Sequence, residues 1–169
     1  MKEIKLNKIE KMLRSYIQHY NENIYWKRRS YVVTYKQGFL SKLKALYFLW
    51  YIKKCDAFNL SSMGTHLGFG AVFKGIPYFP HGLNGIIISH NAEIGENCKI
   101  FHQVTIGEGH GGGAPQIGDN VTICTGAKIT GKIKIGNNVT IGTNCVIVED
   151  IPDNALVVMN KPKIIIKQR

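Results

Sequence analysis

Six histidines are the side chains of this 169-residue chain best suited to moving a proton near neutral pH. They are His19, His66, His81, His90, His102 and His110. A hydroxyl is a poor nucleophile at that pH. It reacts with an activated acyl group when a positioned base removes its proton. His81 has the most unusual setting. It follows Pro80 and opens a short turn containing Gly82, Asn84 and Gly85. His110 lies in a glycine-rich stretch, GEGHGGGAPQ. His102 and His110 are eight residues apart, and no pair has the closer spacing of a histidine zinc site. The four cysteines, Cys55, Cys98, Cys124 and Cys145, form no CxxC pair. No metal is expected.

The rest of the chain must hold these groups in place, and its dominant feature is a repeat. Isoleucine recurs at 88, 94, 100 and 106, and again at 117, 123, 129, 135, 141 and 147. Each step is six residues except one of eleven, between Ile106 and Ile117. Two residues before each anchor stands another apolar, mostly small residue, such as Ala92, Cys98, Val121 or Ala127. A period of six excludes an amphipathic helix and fits short strands joined by tight corners. Such hexapeptide repeats stack into a parallel β-helix. Gly118-Asp119-Asn120 and Gly136-Asn137-Asn138 have corner chemistry, since Gly and Asn tolerate unusual backbone angles. The long step is a loop over residues 107–116, carried on the rigid scaffold.

Upstream, Leu6, Ile9, Leu13, Ile17 and Tyr20 have helical spacing, and Asn21-Glu22-Asn23 ends it. A second helix is expected over 39–53, with Leu43, Leu46, Tyr47 and Trp50 on one side and Lys42, Lys44, Lys53 and Lys54 flanking. It either closes the open end of the β-helix or touches an anionic membrane. The stretch 24–37 fits no single period. Residues 59–80 read as mostly irregular, with a first imperfect coil. The expected organisation is a helical region over 1–58, a β-helix over 59–158 and a tail over 159–169.

Residues 1–60 carry +9 of the formal +11 charge. That asymmetry suits an anionic surface or substrate, and nucleic acid would rest on charge alone. No run nears the roughly 18 apolar residues of a membrane span. The opening MKEIKLNKIEKML lacks a secretory core. A cytoplasmic location follows as the expectation, with possible contact at the inner face of the membrane through residues 39–54. Reduced, buried cysteines fit it.

The segments PHGLNGIIISHNAEIGENCKIFHQVTIG (80–107) and PQIGDNVTICTGAKITGKIKIGNNVTIGTNCVIVEDIP (115–152) resemble the left-handed β-helix acyltransferases. Within them they are similar to the serine acetyltransferase-like branch. The resemblance implies three hexapeptides per left-handed turn, a homotrimer, and acetyl-CoA lying in a groove between two subunits. It implies His81 as the general base. Apart from the resemblance, backbone N–H groups of this turn can stabilise an oxyanion, Gly82 and Gly85 supplying its freedom; the motif identifies no carboxylate to orient the base, and Asp56 is a guess. His102, His110 and Asn84 are the implied acceptor contacts. Thr125, Gly126, Gly142 and Thr143 match the CoA-binding edge, with Lys161 and Lys163 available to its phosphates.

Two positions depart from the serine enzymes. Pro80 stands where they carry Asp, and Ala114 precedes Pro115 where they carry His. Their helical region is also much longer. These departures favour an O-acetyltransferase acting on a sugar or glycan precursor. Serine O-acetylation is the alternative, and a non-catalytic binding protein is a remote third reading.

Overall fold

A computed structural model of the chain describes residues 7–36, 38–161, 163 and 165. Three helices precede the strands: α1 (Lys8–Ile17), α2 (Glu22–Thr34) and α3 (Phe39–Phe58). Fifteen short strands follow among the described residues. They are β1 (Ser62–Met63), β2 (Thr65–His66), β3 (Phe69–Gly70), β4 (Val72–Phe73), β5 (Ile87–Ile88), β6 (Glu93–Ile94), β7 (Lys99–Ile100) and β8 (Thr105–Gly107). After the loop come β9 (Gln116–Ile117), β10 (Thr122–Ile123), β11 (Lys128–Thr130), β12 (Lys134–Ile135), β13 (Thr140–Ile141), β14 (Val146–Ile147) and β15 (Leu156–Val157).

The strands form a left-handed parallel β-helix with three walls. The first wall is ordered β1-β5-β8-β11-β14, the second β15-β13-β10-β7 and the third β12-β9-β6-β4. Strands β2 and β3 make a small antiparallel hairpin at the first coil. The register stacks like on like. Met63, Ile88, Ile106, Ile129 and Ile147 form one column. Ile100, Ile123, Ile141 and Val157 form the second, and Phe73, Ile94, Ile117 and Ile135 the third. All ten isoleucine anchors are buried, and so are the small residues two positions before them. Each buried isoleucine contributes roughly 1.5–3 kcal/mol. The period of six is therefore set by two inward positions per wall.

The corners explain the Asn and Gly positions, for two different reasons. Asn97, Asn120, Asn138 and Asn154 all take positive φ between the third and second walls. Their side chains form a ladder, Asn120 Nδ2 donating to Asn138 Oδ1 at 3.2 Å and Asn138 Nδ2 to Asn154 Oδ1 at 3.1 Å. Gly118 and Gly136 have ordinary φ. A Cβ on either would collide with the backbone of the next coil, so close approach rather than backbone angle demands glycine there.

The stretch 24–37, ambiguous in the sequence, contains most of α2. The Asn21 side chain caps it, accepting from the Ile24 amide at 3.1 Å. Helix α2 buries Tyr25, Trp26, Arg29 and Val32 against the first coil. Arg29 is 4% exposed. It donates to the Met63 carbonyl at 3.0 Å, the Ala71 carbonyl at 2.6 Å and Thr65 Oγ1 at 3.1 Å. Those carbonyls belong to the starting end of the solenoid, where no earlier coil exists to bond them. One guanidinium thus supplies donors that a missing strand would have given.

Helix α3 is longer than the expected 39–53. It buries Ala45, Ile52, Cys55 and Asp56. Leu43, Leu46, Tyr47 and Trp50, the apolar side noted in the sequence, are exposed. Apolar residues stand on both its inner and its outer side, so its periodicity did not identify the inner face. In α1, Ile9, Leu13 and Ile17 are likewise exposed, and only Tyr20 beyond it is buried. Leu6 lies outside the described residues.

Asp56 is buried beneath the cap and accepts from the Tyr25 hydroxyl at 2.6 Å. Burial pushes its carboxyl up from the ordinary 3.8 to about 6. A raised folded-state value means stability that is full below about pH 4 and lost as the pH rises through about 6. Asp56→Asn keeps an acceptor for Tyr25 and removes the charge. Urea melts should find the variant more stable than the parent above pH 6, by about 1–3 kcal/mol, and equal to it near pH 4. A constant difference across that range would contradict the burial argument.

Candidate functional site

The first coil has an enlarged corner between the second and first walls. Tyr78 bridges Lys99 on the second wall, and β5 resumes on the first. Residues 79–85 turn between them and carry His81 at the surface. Gly82 and Gly85 have φ of +70° and +64°, angles that a side chain would strain. The cap fixes this turn. The Gly85 amide donates to the Asn59 carbonyl at 2.9 Å, and Asn59 Nδ2 donates to the Gln18 carbonyl at 3.1 Å. Gln18 also lies against Gly82, where a Cβ would meet its amide group.

One coil further on, the same corner holds Phe101, His102 and Gln103. The His102 ring stands edge-on to His81, with centroids 5.0 Å apart, and Phe101 lies 5.8 Å from His81. Two imidazoles and an aromatic wall therefore meet at one corner. His102 Nδ1 is buried without a hydrogen-bond partner among the described residues.

Hydrogen bonds carry the corner up through the coils. The Gln103 amide donates to the Asn84 carbonyl at 3.0 Å. The Gly126 amide donates to the His102 carbonyl at 3.2 Å, and the Asn144 amide to the Thr125 carbonyl at 2.9 Å. Asn84, His102, Thr125, Gly126 and Thr143 thus line one edge, with His81 at its lower end. Gly142 enters the same corner, its amide donating to the Val157 carbonyl at 2.8 Å. Lys161 and Lys163 are exposed beyond β15.

Two sequence expectations fail here. The Gly82 amide is already committed to the Phe79 carbonyl at 3.1 Å and the Gly85 amide to Asn59. Neither is free to bind an oxyanion. Asp56 is engaged by Tyr25 within the cap and does not orient His81. The identities of Gly126 and Gly142 also have a packing cause. A Cβ on Gly126 would strike the Asn144 side chain, and one on Gly142 would come within 2.9 Å of the Val157 carbonyl. Their amides face the neighbouring coils, so a ligand there meets flat backbone rather than free donors.

The sequence reading missed Phe101, Gln103 and Lys128. The Lys128 ammonium donates to the Gln103 carbonyl at 2.7 Å, placing a cation beside the histidine corner. Stacking arithmetic was the available signal, since Lys128 pairs in register with Thr105 just after that corner.

His110 and the loop after β8 belong to a different corner, between the first and third walls. Glu108 Oε1 there accepts from Ser89 Oγ at 2.7 Å and Asn91 Nδ2 at 3.0 Å. The Ser89 bond is the main cause holding the Glu108 carboxyl below its usual range. His66 stacks on Phe69 at 4.9 Å and meets His90 edge-on at 5.1 Å in the coils beneath. Among the described residues, no three His, Cys, Asp or Glu side chains converge to hold a metal ion. His19 lies against Phe58 in the cap, with ring centroids 4.2 Å apart.

Residues 114–149 match the family model for bacterial transferase hexapeptide (six repeats). The chain is 41% identical over 98 residues to serine acetyltransferase from Mycobacterium tuberculosis, covering 56% of this chain and 42% of that protein. It is 37% identical over 95 residues to serine acetyltransferase from Helicobacter pylori, covering 54% and 55% of the two chains. Among solved structures, Entamoeba histolytica serine acetyltransferase 1 in complex with L-cysteine superposes with a TM-score of 0.60 at 30% identity, over 80% of this chain and 50% of that one. The soybean serine acetyltransferase apoenzyme gives 0.60 at 29% identity, over 79% and 52%. The chain spans about half the length of the curated relatives it matches. Its isoleucine columns and three-walled coil thus go with a hexapeptide-repeat match over residues 114–149 and with similarity to serine acetyltransferases over about half of their length.

Proposed function

We propose that this chain is an acetyl-CoA-dependent O-acetyltransferase with His81 as its general base. The observation that carries the reading is the exposed His81 ring, edge-on to His102 at the foot of the Thr125–Thr143 edge. In the reaction, a ring nitrogen of His81 takes the acceptor hydroxyl proton as that oxygen attacks the thioester carbonyl carbon. The tetrahedral intermediate collapses, the carbon–sulfur bond breaks, and the proton passes from the imidazolium to the departing CoA thiolate. His102 and Asn84 contact the acceptor. Thr125, Gly126, Gly142 and Thr143 border the acyl donor, and Lys161 and Lys163 meet its phosphates. The active unit is a homotrimer in which the loop of one subunit, with His110, reaches the His81 corner of the next.

Serine is the acceptor that the names of the relatives favour, ahead of the glycan expected from the sequence. A sugar or glycan hydroxyl remains the second reading for one specific reason. Pro80 and Ala114 leave the corner and loop without the Asp and His that the serine enzymes carry there. Free-thiol release from acetyl-CoA across L-serine, free sugars, nucleotide sugars and glycan fragments separates the two. Release with L-serine supports the first acceptor, and release only with a sugar-bearing compound supports the second. No release with any of them, together with no CoA binding, would defeat the enzyme reading.

A further inference from the structure

Helix α3 turns a large apolar face outward. Phe39 is 78% exposed, Trp50 60% and Leu43 50%, with Leu46 and Tyr47 beside them. At 100° per residue, Phe39, Leu43, Leu46 and Trp50 fall on one stripe with Tyr47 at its margin. The opposite side is buried against α2 and the first coil. A contiguous exposed apolar patch of this kind marks a surface that meets a partner or a membrane. No described residue covers this one.

The flanks of the stripe are basic. Lys42 and Lys53 lie along one edge, Lys44 lies beyond the other, and the Lys54 ammonium sits 5.5 Å over the Trp50 ring. The only carboxylate in α3, Asp56, is buried on the inner side. Residues 1–60 as a whole carry +9. An aromatic and aliphatic stripe between lysines is the pattern of a helix that lies in a membrane interface. No helix among the described residues is long and apolar enough to cross a membrane.

We infer that α3 docks the protein on an anionic lipid surface. Its aromatic stripe sits at the headgroup–acyl boundary and its lysines lie over the headgroups. Charge disfavours a second copy docked face to face on the stripe. Two copies joined through this face would oppose lysines to lysines, with no exposed α3 carboxylate to pair them. The inference goes beyond the transferase reading and does not depend on it.

The test uses the full chain and vesicles of phosphatidylcholine, with and without phosphatidylglycerol. Trp26 is 7% exposed and Trp50 60%, so a lipid-induced fluorescence shift reports Trp50. The expected result is flotation with the mixed vesicles and a blue shift, with affinity for phosphatidylcholine alone at least about tenfold weaker. Lys42→Glu with Lys53→Glu should weaken binding by about tenfold or more, since each lysine near an anionic surface is worth about fivefold. Leu43→Ser with Trp50→Phe should abolish flotation at unchanged melting temperature. Equal affinity for both vesicle types, or no flotation, overturns the inference. So does a Trp50 blue shift that appears with rising protein concentration in the absence of lipid, which would assign the face to a second copy.

Discussion

His81→Ala should lower the acetyl-transfer rate by about 10²–10⁴-fold, the range for a well-placed general base. His81 is exposed on a turn held by backbone bonds from Gly82 and Gly85, neither of which uses the imidazole. The variant should therefore melt within about 0.5 kcal/mol of the parent, as surface changes generally do. CoA affinity should change little, because the donor edge runs upward from His102 rather than through His81. A loss of transfer with unchanged CoA binding identifies the base. His102→Ala should cost less, as it stands beside His81 and is proposed to contact the acceptor rather than take its proton. Equal losses in both variants would mean that the pair acts as one unit. An unimpaired His81→Ala enzyme would remove the base altogether.

The second large effect is predicted far from the chemistry. Arg29→Met should destabilise the chain by about 3–5 kcal/mol, since each buried carbonyl left without its charged donor costs about 1–3 kcal/mol. The substitution orphans the Met63 and Ala71 carbonyls and removes one of the cations that act on buried Asp56, leaving Lys53. Trp26 packs against Phe73 at 4.8 Å in the same cluster, so its fluorescence reports the loss in a urea melt. Arg29→Lys should restore little, because a single ammonium lacks the planar fork that reaches Met63, Thr65 and Ala71 together. A change below about 1 kcal/mol, within the range of ordinary surface substitutions, would show that the solenoid end does not need this residue.

These two residues also mark the limits of reading the sequence. The solenoid was legible because isoleucine is repeated and each wall offers the same inward slot. The long step between Ile106 and Ile117 located the loop for the same reason. Helix α2 was not legible because Arg29 occupies one of its four buried positions. A charged residue on the inner face erases the apolar period on which the reading depends. For α3, spacing found the helix but not its inner face, since both sides are apolar. The contact between His81 and His102 could not be counted out either. The corner carrying His81 holds extra residues, so the step of six does not carry across it. The committed amides of Gly82 and Gly85 depend on partners in Phe79 and Asn59, which no motif shows.

Amide hydrogen exchange with and without CoA puts the arrangement itself to the test. Protection concentrated at residues 125–126 and 142–143, with a smaller change around 102–103, is the predicted result. Protection confined to the third wall or to the helical cap, with that edge unaffected, would contradict it.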